Sequence, residues 1–375
     1  MIISTEAPNR CVVCDRENRP DAIFCDRCTY PLRVANLADL SESEKRLCLA
    51  RLFDELSNAT RDVSGADLLD VDLWHAYLSA FWLRPETAII EYREAMALRT
   101  IAPPGPWLDL GCGDGIHAGL YSGFQFDAGF DAFGGLDLSS SDFYNRFDPS
   151  QFRVRFERKA SPVDIGLDIK PTAIARAKAL GVFACVKVAD ATNLPLEARS
   201  IATIYSNMLR DLGESLDAAL AECARVMRDD GQLILSAMTP AYASSLIFAP
   251  AALEAERIGD RPKAEQLLRL DRGRSVFCRQ QLSIDQWNEK LARHLLRVDR
   301  VETIITQEIT RLWDVGLRPF SLDLLRWRQS IDGDSLLAVK RAAIALLDHV
   351  LRPIVSRASV GEPCMQMLVV RKGLR

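Results

Sequence analysis

Apolar residues along this chain change their spacing near residue 105. From 37 to 100 they recur every three or four positions, as on one face of a helix. Ser41-Glu42-Ser43-Glu44 is a capping box, and it opens an amphipathic run that ends near Leu56. A polar link over 58–67 follows. Trp74, Tyr77, Phe81 and Trp82 then stand at helical spacing, and Pro85 can open the next helix at its first turn. Such an aromatic stripe predicts core rather than a ligand cage. Pro103-Pro104-Gly105-Pro106 stops the helical pattern and delivers the chain into something else.

Beyond that break, short solid apolar runs alternate with helical ones. Residues 107–110, 163–168, 185–189, 201–205 and 232–237 predict five buried strands. Helical patterns over 171–180 and 216–227 lie among them. This alternation predicts an α/β fold with a doubly wound, mostly parallel sheet, whose ligands lie at the carboxyl ends of the strands. After the fifth strand, 244–270 reads as helical, and Ser283 can cap a helix running to 296.

Composition narrows the function classes. The 375 residues are 48% hydrophobic and 26% charged, ordinary for a large globular domain with appendages. A net charge of −4 gives no global field toward nucleic acid or anionic lipid. The opening MIISTEAPNRC lacks the basic start and apolar core of a signal peptide, and no run of about 18 uncharged apolar residues occurs. A cytoplasmic protein without a membrane span is the expectation.

Four of the ten cysteines, Cys11, Cys14, Cys25 and Cys28, are spaced C-x2-C-x10-C-x2-C. Each pair can turn two thiolates toward one point, and two pairs complete a tetrahedral site suited to zinc. The segment is too short to bury a core, so metal would supply its folding energy, about 10–16 kcal/mol. It resembles a zinc ribbon, occupying 1–36. Docking or stability is the plain role for such a module, and a protein or RNA partner the sharper one. Its mixed charges favour the plain role. The other six cysteines sit in apolar surroundings, as reduced core cysteines do.

The first strand ends in Gly111-Cys112-Gly113-Asp114-Gly115, a turn whose glycines permit close approach of a ligand to the backbone. Alone it is weak, because dinucleotide enzymes use a related device. The phrases that follow, GLDIKPTAIARAKALG, VADATNLPLE, IYSNML and ECARVMRDDGQLILS, resemble in order the class I, seven-stranded S-adenosylmethionine-dependent methyltransferases. The resemblance covers about 105–240. It implies two late strands, for which 299–306 and 365–370 are candidates, the last antiparallel. The chain then divides into a helical region over 37–104, the cofactor-binding core over 105–240, and a helical region with the last strands over 241–375.

Residue by residue, the resemblance implies that Asp109, Gly111, Cys112, Gly113 and Gly115 line the methionine and ribose end. Asp168, with Ile169 beside it, would accept from both ribose hydroxyls, since a carboxylate offers two oxygens to two donors. Asp190 would accept from the adenine amino group with the Ala191 N–H beside the ring, and Asn207 would sit under the sulfonium. Asp137 competes with Asp168: it lies 22 residues after Gly115, while Asp168 lies 22 before Asp190. A clean helical pattern after Asp168 favours the latter and makes about 122–162 an insertion, rich in aromatics from Phe124 to Phe156. That insertion either forms a lid or anchors itself as a long loop.

The acceptor is less legible. Where many small-molecule members of that family have a histidine after the fourth strand, this chain has SNMLRDLGE, with Arg210 and Asp211. No catalytic base is assigned, and His117 is expected to pack or to face the cofactor. The fourth strand also lacks the (Asp/Asn/Ser)-Pro-Pro-(Tyr/Phe) phrase that grips planar amines. Arg311, Arg318, Arg326 and Arg328 either bind an anionic group of the acceptor or form a solvated face paired with Asp314 and Asp323. A small-molecule or glycan/lipid-type acceptor is expected; an RNA methyltransferase and a non-catalytic cofactor-binding subunit are the alternatives.

Overall fold

The computed structural model describes residues 9–11, 15–20, 22, 25, 27, 32, 40–59, 69–136, 146–275, 281–357 and 361–373. Seven strands make one sheet: β1 (Trp107–Leu110), β2 (Val163–Asp168), β3 (Phe183–Val188), β4 (Ile201–Ser206), β5 (Met227–Met238), β6 (Leu296–Thr306) and β7 (Pro363–Lys372). Their spatial order is β6-β7-β5-β4-β1-β2-β3. The first five pair in parallel, and β7 runs antiparallel between β5 and β6. Both late strands therefore form as expected. The chain enters at β1, steps outward to β2 and β3, and then returns to β4 on the other side. That reversal opens a crevice at the carboxyl end of β1, between its neighbours β2 and β4.

Both faces of the sheet are covered, which is why every residue of β4 is buried. Side chains alternate across the sheet: Tyr205, Ile234 and Met367 belong to one hydrophobic cluster, Ile204, Leu233 and Leu368 to the other. On the first face lie α1 (Glu42–Ala59), α2 (Val71–Ala80), α3 (Pro85–Ile101) and α4 (Ile116–Ser122). α1 begins in the expected capping box, with Ser41 N–H donating to Glu44 Oε2 at 2.7 Å and Glu44 N–H to Ser41 Oγ at 3.3 Å. Trp74, Tyr77, Phe81 and Trp82 are buried in this core, as their spacing predicts. α5 (Pro171–Leu180) and α6 (Leu216–Val226) are the crossover helices after β2 and β4.

After β5 come α7 (Ala241–Ser245), α8 (Phe248–Arg257), α9 (Arg261–Asp271) and α10 (Ile284–Ala292). The stretch 244–270 is thus three helices rather than one run. Asp314 takes the N–H groups of Ile247 and Phe248 at the start of α8, and Asp260 caps α9 through Lys263 N–H. α10 ends short of 296 because Leu296 already belongs to β6. Between β6 and β7 lie α11 (Gln307–Val315), α12 (Ser321–Ser330) and α13 (Gly333–Val355). Among the described residues no helix is long and apolar enough to cross a membrane.

The insertion between α4 and β2 folds on its own rings. Residues 125–126 pair antiparallel with 156–158, Phe126 stacks on Phe130 at 4.1 Å, and Phe124 and Phe126 meet Phe156. Arg176 of α5 lies over Phe147 and Phe152. These aromatics anchor a long loop; Asp137, Phe143 and Tyr144 lie outside the described residues.

One glycine in β2 reports on packing rather than on ligand. A Cβ at Gly166 would fall 2.9 to 3.0 Å from three carbons of the Phe183 ring. Gly166→Ala should destabilise the fold by about 1–3 kcal/mol through overpacking. Adding Phe183→Leu should recover much of that loss. Urea unfolding midpoints of the two variants check both statements.

Candidate functional site

The turn after β1 is held from below. Gly111 and Cys112 both donate their N–H to the Leu167 carbonyl of β2, at 2.7 and 3.0 Å. Its three glycines all have positive φ, yet they meet different surroundings. A Cβ at Gly111 would strike Met208 at 2.9 Å, and one at Gly115 would strike the Phe183 ring at 2.9 Å. A Cβ at Gly113 would meet nothing within 4 Å. Gly111 and Gly115 are therefore demanded by packing, and Gly113 faces open space over the turn.

Asp168, at the carboxyl end of β2, reaches that open turn. Its Oδ2 accepts the Gly113 N–H at 3.0 Å, and its Oδ1 accepts the Lys170 N–H at 2.8 Å. Burial pushes this carboxyl up, against the pull of those two N–H groups and Lys170. Asp190 lies beyond the end of β3. Its Oδ1 accepts the N–H and hydroxyl of Thr192, both at 2.9 Å, and its Oδ2 is buried. Arg27 pairs with that oxygen.

Arg27 belongs to the N-terminal cysteine segment, and it is not the segment's only contact with the crevice. Cys11 and Cys25 are buried together in a small cluster with Leu32 and Ile169. Arg16 meets Glu214, in the turn after β4, at 3.4 Å. The described part of the segment thus touches residues following β2, β3 and β4. Cys14 and Cys28 lie outside the described residues, and no metal-binding group of side chains occurs among the described ones.

Under the turn sits a polar network that sequence reasoning missed. Glu94 of α3 is 1% exposed and accepts from Ser236 Oγ at 2.5 Å, and from Tyr205 OH and Asn207 Nδ2 at 3.4 Å each. It thereby fixes Asn207, at the end of β4. His117 contacts Tyr77 OH at 2.9 Å through Nδ1 and Tyr205 OH at 3.1 Å through Nε2. Burial drives His117 down to about 4, so near pH 7 it is neutral and serves packing. Glu91 lies one turn from Glu94, and burial, with Glu94 and Asp114 adding repulsion, raises its carboxyl well above the usual range. The available signal was positional: Glu91 and Glu94 fall among Ala88, Tyr92, Ala95 and Leu98, the buried register of α3.

Asp109 is directed inward, accepting from Tyr121 OH at 3.0 Å. The arginines near the C-terminus do not pair as expected. Asp314 meets Arg274, Asp323 meets Lys45, and Arg328 meets Asp131.

Residues 155–235, from just before β2 into β5, match a family model described as a methyltransferase domain. A malonyl-[acyl-carrier protein] O-methyltransferase of Methylococcus capsulatus is 31% identical over 152 residues, which are 40% of this chain. The chain spans 44% of the length of that relative. Among solved structures, a SAM-dependent methyltransferase from Thermotoga maritima is 13% identical with a TM-score of 0.38, covering 75% of this chain and 88% of its own. An S-adenosylmethionine-dependent methyltransferase from Mesorhizobium loti is 17% identical with a TM-score of 0.36, covering 75% and 98%.

Asp109 supplies a pH test of this site. Burial pushes its carboxyl up to about 7, despite the hydrogen bond from Tyr121. Between about pH 4 and pH 7 the folded state therefore keeps a proton that the unfolded chain has released, and stability falls as pH rises. Asp109→Asn removes that term. Its stability relative to the parent should climb from pH 5 to pH 8, as read by urea midpoints at the two pH values.

Proposed function

We propose that this chain is an S-adenosylmethionine-dependent methyltransferase acting on a small-molecule acceptor, with a zinc ribbon at its N-terminus. The observation that carries the reading is the pairing of Asp168 with an open Gly113 at the switch point of the sheet. A ligand lying over Gly113 meets the Asp168 carboxylate, whose oxygens each hold one N–H and keep lone pairs for two adjacent hydroxyls. Asp190, one strand further on, would offer Oδ2 to an amino group in exchange for Arg27. Cys112 and Ile169 flank the turn and the ribose end, and the Ala191 N–H lies beside Asp190.

S-adenosylmethionine, when bound, supplies a methyl group already activated on a sulfonium. The work left to this chain is to hold charge, align the acceptor and exclude water. Asp168 and Glu94 place acidic side chains beside the crevice, complementary to a sulfonium and an ammonium group. Asn207, fixed by Glu94, is the residue assigned to the sulfonium face.

The acceptor atom is narrowed by what the network does with protons. His117 is neutral and engaged at both nitrogens, so it is not poised as a base. A carboxylate oxygen attacks a methyl carbon without losing a proton and needs none. The bacterial relative is named for O-methylation of a malonyl group, and transfer to an acidic oxygen fits a site with no assigned base. The RNA alternative is weaker: Arg10 pairs with Asp15 and Glu17, Arg16 with Glu214 and Arg27 with Asp190, leaving these cations neutralised.

Titration calorimetry with S-adenosylhomocysteine should show one site per chain. Asp168→Ala should weaken it by about 100-fold, the cost of leaving ribose hydroxyls unpaired. Absence of binding to the parent protein overturns the reading. For the ribbon, metal analysis of the full chain should find one zinc, lost on replacing Cys14 and Cys28 by serine. If the segment roofs the adenine end, that loss should also weaken S-adenosylhomocysteine binding several-fold.

A further inference from the structure

A second cluster of buried charge stands over the same edge of the sheet, toward β5 and β6. The segment leaving the carboxyl end of β5 carries Arg272 and Arg274, and the segment leaving β6 carries Asp314 and Arg318. Arg84 and Glu86 lie at the start of α3, whose later turns carry Glu91 and Glu94. Three separate parts of the chain bring these groups together, and none belongs to the cofactor crevice.

The cluster is poorly satisfied. Arg272 and Arg274 are 3% and 2% exposed. Each makes one hydrogen bond through Nη2, Arg272 to the Asp314 carbonyl and Arg274 to the Trp313 carbonyl at 2.8 Å. Their Nε and Nη1 groups have no hydrogen-bond partner among the described residues, although Arg274 Nε approaches Asp314 Oδ1 at 3.4 Å. Arg318 is half-buried, with Arg272, Arg274 and Glu86 among its charged neighbours. Buried donors left unpaired cost about 1–3 kcal/mol each, and such groups ordinarily mark a missing water or ion.

The charge balance favours an ion of one sign. Three guanidinium groups (Arg272, Arg274, Arg318) lie with three carboxylates (Glu86, Asp271, Asp314). Two of those, Glu86 and Asp271, are pushed up by burial. The third, Asp314, spends one oxygen on the N–H groups of Ile247 and Phe248. Burial and the neighbouring arginines push Arg318 down to about 9 and Arg272 down to about 10. Trp313 lies flat under Arg274, 3.7 Å from guanidinium carbon to ring centre, and holds that fork in place.

We propose that Arg272, Arg274 and Arg318 form an anion-binding subsite that holds a carboxylate or phosphate group on the methyl acceptor. This rests on the methyltransferase reading above and extends it to the acceptor's shape. Glu86 and Glu94 are eight residues apart on α3, about 12 Å along a helix axis. The acceptor is then an elongated molecule whose anionic handle lies roughly that far from the group receiving the methyl. Arg318, the most exposed of the three, is the entry residue.

The full chain is titrated with malonate, succinate and inorganic phosphate at constant ionic strength, followed by calorimetry and by tryptophan fluorescence, with Trp313 as the local reporter. At least one anion should bind saturably, with Kd of about 1 mM or tighter. Whichever of carboxylate and phosphate binds more tightly identifies the handle. Arg318→Ala should weaken that anion at least about tenfold while leaving S-adenosylhomocysteine affinity unchanged. Arg318→Lys, which keeps the charge and loses the fork, should fall between, and serves if the alanine variant does not fold. No saturable binding, or equal affinity in the parent and both variants, overturns the subsite. Anion binding that depends on Arg318 in a protein that ignores S-adenosylhomocysteine keeps the subsite and removes the methyltransferase reading.

Discussion

Carboxylates gathered in a buried crevice repel one another, and the crevice of this protein is built around that constraint. Asp109, Asp168, Glu91 and Glu94 are drawn from β1, β2 and α3 into a region screened from water. Desolvation is the largest cause raising Asp109, Asp168 and Glu91. The sheet holds them there through bonds that do not themselves need the charge: Gly111 and Cys112 to Leu167, Ser236 to Glu94, Tyr121 to Asp109. A cationic ligand relieves the repulsion that the fold imposes. The arginine cluster above it carries the opposite sign, so the N-terminal end and the middle of α3 face opposite demands.

Helix α3 connects them. Its N-terminal end lies with Arg272, Arg274 and Arg318, its middle with Asn207 and His117, and its C-terminal end delivers the chain to the start of β1. A helix is stiff over four turns, so these levels keep a fixed separation. Gly316 is packed so closely that a Cβ there would strike Glu86 at 2.6 Å, which fixes the upper level against the segment after β6. Acceptor shape, on this view, is set by the helix rather than by the loops around it.

The sheet was largely legible because its signals are local. Solid apolar runs separated by helical patterns place all five parallel strands, and resemblance supplies the two late ones. The glycine turn was legible as a turn, but the sequence could not say that only Gly113 faces a ligand. That distinction depends on Met208 and Phe183, residues 97 and 68 positions away from Gly111 and Gly115. Glu94 went unseen for a related reason: a single acidic residue in a buried helical register is a weak signal until Ser236, Tyr205 and Asn207 converge on it. The arginines were read along one helix, whereas Arg272 and Arg274 reach their cluster from another segment entirely.

The position of the N-terminal segment alters what a metal there would accomplish. A ribbon read as an outboard handle for docking has no reason to bury Cys11 and Cys25 against Ile169, the residue after Asp168. Nor has it a reason to set Arg27 on Oδ2 of Asp190. Those contacts make the segment a roof whose cation occupies the place proposed for an adenine amino group. Metal binding to four cysteines would then set the rigidity of that roof, because so short a segment has no apolar core of its own to do so. Entry of the proposed cofactor would exchange one donor to Asp190 for another, a swap between hydrogen-bond partners that costs far less than uncovering a bare carboxylate.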